Sequence, residues 1–140
     1  MKAFWLAAWQ LPQMALALAV VRATRALRCG MYRGKRLYQF DASLHPLVSG
    51  VSLGEYIILP HGASEADKNH EYGHCVQSRC LGWLYLPLVG LPSALCNNVW
   101  DRVMHRAWSY KARTAWYYRR YPERWADRLG GVARSRRLTK

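Results

Sequence analysis

Acidic residues are scarce in this chain. Asp and Glu number 8 against 21 Lys and Arg in 140 residues, a formal net charge of +13. That bias leaves two partner classes, nucleic acid or an anionic membrane surface. A CxxC pair is also missing: Cys29, Cys75, Cys80 and Cys96 are all separated more widely, so a structural zinc ribbon or a thioredoxin-type site has no support. RNP, zinc-finger and helix-turn-helix signatures are absent too, which removes a specific nucleic-acid partner. Only general affinity could come from the Arg- and Tyr-rich stretch Arg113 to Arg124. Finally, no apolar run is both long and unbroken. Gln10, Pro12 and Gln13 interrupt residues 3–21, and Pro87, Gly90 and Pro92 interrupt 83–95.

The placement of the positive charge favours a membrane. Residues 3–21 are almost wholly apolar, and Arg22, Arg25, Arg28, Arg33, Lys35 and Arg36 follow at once. Such a cluster marks the cytoplasmic flank of a membrane-associated segment. The interruptions at Gln10 to Gln13 predict a bent or interfacial helix over an ordinary span. Charge after the apolar run, not before it, argues against a cleaved signal peptide. The soluble alternative is a core helix kinked at its proline. Three regions are expected: a hydrophobic helix with its basic flank (1–36), a folded domain (37–132), and a basic tail (133–140) held near lipid headgroups.

The folded domain carries His70-Glu71-Tyr72-Gly73-His74, an HExxH element. On a helix, residues four apart share a face, so His70 and His74 can close on one ion. Glu71 lies one step round, where it can contact a metal-bound water without ligating the metal. Two neutral nitrogens, an open position and a nearby carboxylate are what a zinc hydrolase needs. A third ligand is required, and Pro122-Glu123-Arg124-Trp125-Ala126-Asp127 offers one. Pro122 suits a helix start and Gly130 its stop. Glu123 and Asp127 then share a face: Glu123 can reach the metal, and Asp127 can accept from the distal N–H of a liganding histidine. The plainer alternative makes both acids solvated helix charges.

Elsewhere the chain predicts a small antiparallel sheet or hairpin. Leu37 to Phe40 and Val51 to Leu59 are rich in strand formers, with turn chemistry between them, where His45 falls; His61 sits in the next turn. Ser64 and Asp67 make a capping-box pair for the HExxH helix, which should run to about Cys80 and stop at Gly82. Trp83 to Leu95 reads as a buried loop with half-helices, as a re-entrant segment or, equally, as core packing over the HExxH helix. Asp101 to about Arg120 reads as one helix with Met104, Trp108, Ala112 and Trp116 in a single apolar stripe. One of its His105, Tyr110, Tyr117 or Tyr118 could donate to a tetrahedral oxyanion. Packed, reduced thiols are the expectation for the cysteines.

HExxH with a separate Glu-x-x-Ala-Asp helix resembles the gluzincin zinc metallopeptidases, especially their membrane-associated branch. Trp9-Gln10-Leu11-Pro12-Gln13, the HEYGH helix, Leu81-Gly82-Trp83-Leu84-Tyr85-Leu86 and Trp125 to Gly131 further resemble a family of short bacterial membrane-associated proteins read as metallopeptidases. The likeness spans nearly the whole chain. It implies an α+β, minimal zincin-like domain, with Zn2+ held by His70, His74 and Glu123, Glu71 as general base and Asp127 orienting a ligand. It also implies an edge strand, here residues 51–58, able to pair with an extended peptide. The expected function is hydrolysis of peptide or protein substrates at an anionic membrane surface. The alternatives are an inert, zinc-stabilised membrane-associated binding protein and, behind it, a basic nucleic-acid binder.

Overall fold

The computed structural model describes residues 2–46 and 48–134. It is α+β, with a small four-stranded sheet and helices before and after it. The chain begins with α1 (Lys2–Trp9) and α2 (Leu11–Thr24). The predicted bend falls at Gln10, because Pro12 occupies the first turn of α2, where its missing N–H costs nothing. Among the described residues no helix is long and apolar enough to cross a membrane. Gln10 and Gln13 are fully buried. Gln10 accepts from Ser78 Oγ (3.0 Å) and donates to Glu55, and Gln13 donates to the Gly82 carbonyl. They interrupt the apolar run because they face protein.

The sheet contains β1 (Leu27–Tyr32), β2 (Lys35–Phe40), β3 (Val51–Leu53) and β4 (Tyr56–Pro60), in the order β1-β2-β4-β3. Two expectations are corrected here. Residues 27–36, assigned to a basic flank, form β1 and the start of β2, joined by a tight hairpin with positive φ at Arg33 and Gly34. The sheet is mixed, not antiparallel, because residues 51–59 are not one strand. Gly54, at φ +62°, reverses the chain, so β4 returns to pair with β3 antiparallel and with β2 parallel. Ile57, Ile58 and Leu59 are buried in succession, the pattern of an interior strand covered on both faces. The core gathers Ala17 of α2, Phe40, Leu53, Tyr56, Ile58, Tyr85 and Val89.

Helix α3 (Glu65–Leu81) starts with the predicted capping box: Ser64 accepts from the Asp67 amide, and Asp67 accepts from Ser64 N at 3.0 Å. It ends at Gly82, where any Cβ would collide with the Trp9 indole. The Trp9 indole N–H donates to the Arg79 carbonyl (3.1 Å), and that of Trp83 donates to Ala8 (2.9 Å), tying α1 to the end of α3. A 310 turn (Gly82–Leu84) and two π-helical segments (Leu86–Gly90 and Pro92–Trp100) follow, not a loop. Tyr85 and Val89 face inward, while Trp83, Leu88, Leu91 and Leu95 are exposed.

The single helix expected over 101–120 is two: α4 (Asp101–Met104) and α5 (Tyr110–Tyr118). Ser109 caps α5 through the Ala112 amide, which restarts the helix and breaks the four-residue stripe. Met104 and Trp108 are accordingly exposed. Helix α6 (Glu123–Gly130) ends at Gly131 in the left-handed conformation, one residue beyond the anticipated stop. Of the expected tail, residues 135–140 lie outside the described residues. Arg134 folds back onto α6, where it bonds to Asp127.

Helices α3 and α6 pack backbone to backbone. A Cβ at Gly73 would lie 2.0 Å from the Ala126 carbonyl oxygen, and one at Gly130 would lie 2.0 Å from that of Asn69. Ala in place of Gly inside a helix normally gains about 1 kcal/mol. Here Gly73→Ala should instead destabilise by about 2–3 kcal/mol, because backbone cannot yield to the methyl group. Thermal denaturation of the variant checks the sign.

Candidate metal centre

The close packing of α3 on α6 brings two distant stretches of sequence together. His70 Nε2 lies 3.0 Å and His74 Nε2 3.1 Å from the same Glu123 Oε2. The three residues are buried, their ligand atoms lie within 4.8 Å of one another, and together they could hold a metal ion. The imidazole rings stand at 89° with centroids 4.8 Å apart, so both edges aim at one point.

The outer nitrogens settle the tautomers. His70 Nδ1 meets Asp127 Oδ1 at 2.7 Å, and His74 Nδ1 meets Gln77 Oε1 at 2.7 Å. The Gln77 amide is oriented by its NH2 group, which donates to the Pro122 carbonyl at 3.1 Å. Its oxygen therefore faces His74, and His74 Nδ1 is the donor. In neutral imidazoles the two Nε2 atoms then present bare lone pairs to a carboxylate oxygen. Acceptors facing acceptors in a buried site need positive charge between them, supplied by protons or by a cation. Such a donor set could hold a metal ion, with its tautomers already fixed.

The electrostatics follow. Burial pushes His70 down, but hydrogen bonds to Asp127 and Glu123 overcome it and raise the imidazole to about 9. Burial likewise opposes His74, whose bond to Glu123 raises it. For Glu123, burial is outweighed by the two histidines and Ser93, so the carboxyl is held well below its ordinary range. Ser93 Oγ donates to Glu123 Oε1 at 2.6 Å, which leaves Oε2 for the imidazoles. Asp127 is also lowered, since His70 and Arg134 outweigh its burial. Arg134 forks onto both Asp127 oxygens (2.7 and 3.1 Å) and stacks 3.2 Å above the Tyr118 ring.

Glu71 is buried beside the histidines, and its Oε2 has no hydrogen-bond partner among the described residues. A Cβ on Gly50 would come 2.8 Å from Glu71 Oε1, so the turn before β3 presses against this carboxyl. A partnerless carboxylate oxygen next to a cluster of inward-facing lone pairs fits a site built around an ion and its water.

Both groups border a cavity of about 560 Å³, a size that encloses a small ligand. Tyr117 and Tyr118 line it; His105 does not. His105 is instead bonded to Asp101 (3.0 Å) and stacked on Trp108, so its expected oxyanion role is withdrawn. Tyr110 is exposed and also outside the cavity. Burial raises both remaining phenols, Tyr118 to about 12 despite Arg134, so each stays a proton donor at neutral pH. Cys75 is turned toward the sheet, against the Tyr56 carbonyl, and burial pushes its thiol up to about 12. It is not among the described residues grouped to hold an ion, which are His70, His74 and Glu123. Packing is confined to Cys75 among the described cysteines, since Cys29 and Cys80 are exposed.

No family model matches the chain, and no curated protein or solved structure matches it either. The gluzincin likeness therefore rests on the sequence motifs alone.

Gln77, Ser93, Arg134 and Gly50 escaped the reading of the sequence. Gln77 had a signal, since i+3 from His74 is the same helical face. The other three come from separate segments and had none.

Two predictions follow from the centre. His74→Ala and Glu123→Ala should each abolish stoichiometric metal binding, whereas Arg134→Ala, which loosens Asp127, should weaken it tenfold to a hundredfold. Metal analysis and competition titration distinguish them. Metal and protons compete for the same nitrogens, so pH should act oppositely on the two forms. His70 is raised from 6.5 to about 9, and its contribution to the metal-free fold is complete below 6.5 and lost as pH rises through 9. Metal affinity should rise over that interval. Melting curves with chelator, beside metal titrations at each pH, test both slopes.

Proposed function

We propose that this chain is a zinc-dependent metallopeptidase with a minimal zincin-like build, working at a membrane surface. The observation that carries the reading is the convergence of His70 Nε2, His74 Nε2 and Glu123 Oε2 beside the partnerless Glu71 carboxylate oxygen. Two imidazoles and one carboxylate, with room beside them, are the ligand pattern of catalytic zinc and not of a closed structural site.

His70, His74 and Glu123 would hold the ion, which supplies Lewis acidity toward a carbonyl and toward water. The protein's own groups do the remaining work. Glu71 Oε2 takes a proton from the attacking water and returns it to the leaving amine nitrogen. Its partnerless state leaves that oxygen available. Asp127 and Gln77 hold the two imidazoles with Nε2 directed inward, and Ser93 keeps Glu123 presenting a single oxygen. Tyr117 and Tyr118, protonated on the cavity wall, are the donors placed to receive negative charge on the carbonyl oxygen.

A membrane partner is supported by the surface. Phe4 and Trp5 of α1 are about 70% exposed, Trp83, beside α1, is 61% exposed, and α2 runs directly into Arg22, Arg25 and Arg28. Indole rings at an interface with arginines at the headgroups are the ordinary means of shallow attachment.

Glu71→Gln should retain zinc and lose turnover by about 10²–10⁴-fold on a cleavable peptide. Equal turnover by the variant and the parent would remove Glu71 from the mechanism. For the surface, co-sedimentation with vesicles containing phosphatidylserine should exceed that with neutral vesicles. Trp5→Ala and added salt should both reduce it.

A further inference from the structure

The cavity beside His70, Glu71 and His74 has a second wall that the chemistry does not use. Leu16 and Val20 of α2 contribute one side, and Leu86, Pro87 and Leu91 the other, with Tyr85 at the back. Leu16 is 44% exposed and Leu91 55%, so both stand at the cavity's mouth. Among the described residues no Lys or Arg lines this cavity, and the acids that do are Asp67 and Glu71.

The sheet edge beside it offers little main-chain recognition. Strand β3 is three residues long, and the Ser52 carbonyl already accepts the Tyr85 hydroxyl at 2.9 Å. The stretch expected to pair with substrate, residues 51–58, is thus reduced to Val51–Leu53, since β4 is interior. Selection must therefore come mostly from side chains. A charged side chain entering this wall would lose its hydration with no partner of opposite sign among the apolar residues, and an acidic one would also meet Asp67 and Glu71.

We infer that α2 and the segment 85–94 form a recognition cleft for an uncharged, apolar stretch of peptide. The N-terminal helix is then part of substrate selection as well as of membrane attachment. The peptide nature of this ligand rests on the metallopeptidase reading; the apolar, uncharged character rests on the cleft itself.

The test is fluorescence anisotropy with the full-length, zinc-loaded Glu71→Gln protein, which reads binding without turnover. Three capped, fluorescein-labelled hexapeptides of alternating Leu and Ala serve as probes: the parent, one with Asp replacing two Leu, and one with Lys replacing them. The Leu peptide should bind at least tenfold more tightly than either charged form. Adding Leu16→Trp or Leu91→Trp, both at exposed positions that tolerate bulk, should weaken it about tenfold with zinc content unchanged. Equal affinities for the three peptides, or no effect of either tryptophan in a folded protein, overturns the cleft. Turnover by the parent enzyme separates the two readings. No cleavage alongside selective binding sinks the peptidase and leaves the cleft, whereas cleavage indifferent to charge does the reverse.

Discussion

The approach of two helices without side chains between them governs the rest of this structure. Gly73 faces the Ala126 carbonyl and Gly130 faces that of Asn69, so α3 and α6 meet at a separation that no larger residue permits. Only at that separation can the Glu123 side chain place one oxygen within 3.1 Å of both imidazoles. The middle glycine of HEYGH is thus a spacer. A helix interior pays conformational entropy for it, and the return is a centre assembled from residues about fifty positions apart.

Around that centre every inner atom is fixed by an outer one. Asp127 and Gln77 determine which nitrogen of each histidine is bare, Ser93 divides the labour of the two Glu123 oxygens, and Arg134 keeps Asp127 charged. The arrangement concentrates negative charge and lone pairs in the interior of a strongly basic protein. On the proposed function, surface arginines and an acidic interior would serve different partners: the first suit anionic headgroups, the second a cation.

What the sequence disclosed follows physical range. The HExxH face, its capping box and the pairing of Glu123 with Asp127 are local, periodic signals, and they lie where periodicity puts them. The bend at Pro12 is local too. Val51 to Leu59 reads as one strand because a glycine such as Gly54 fits a strand as well as a turn; only the antiparallel pairing of β3 with β4 makes it a turn. The 101–120 helix failed through Ser109, a competent cap hidden inside a convincing apolar period. Ser93 and Gly50 could not have been found, since their roles depend on which segments the fold brings against Glu123 and Glu71.

Ser93 belongs to the π-helical segment Pro92–Trp100, in which Leu95 is exposed, as is Leu91 just before it, and its hydroxyl is hooked on Glu123, one of the three residues that could hold an ion. The hook makes the greasy outer belt and the buried centre parts of one linked equilibrium. Stripping the ion would leave Glu123 to be shared differently among its neighbours, and the slack would pass straight to that belt. Chelator in a purification buffer would then show its harm first as stickiness and clumping, before any measurable loss of helix.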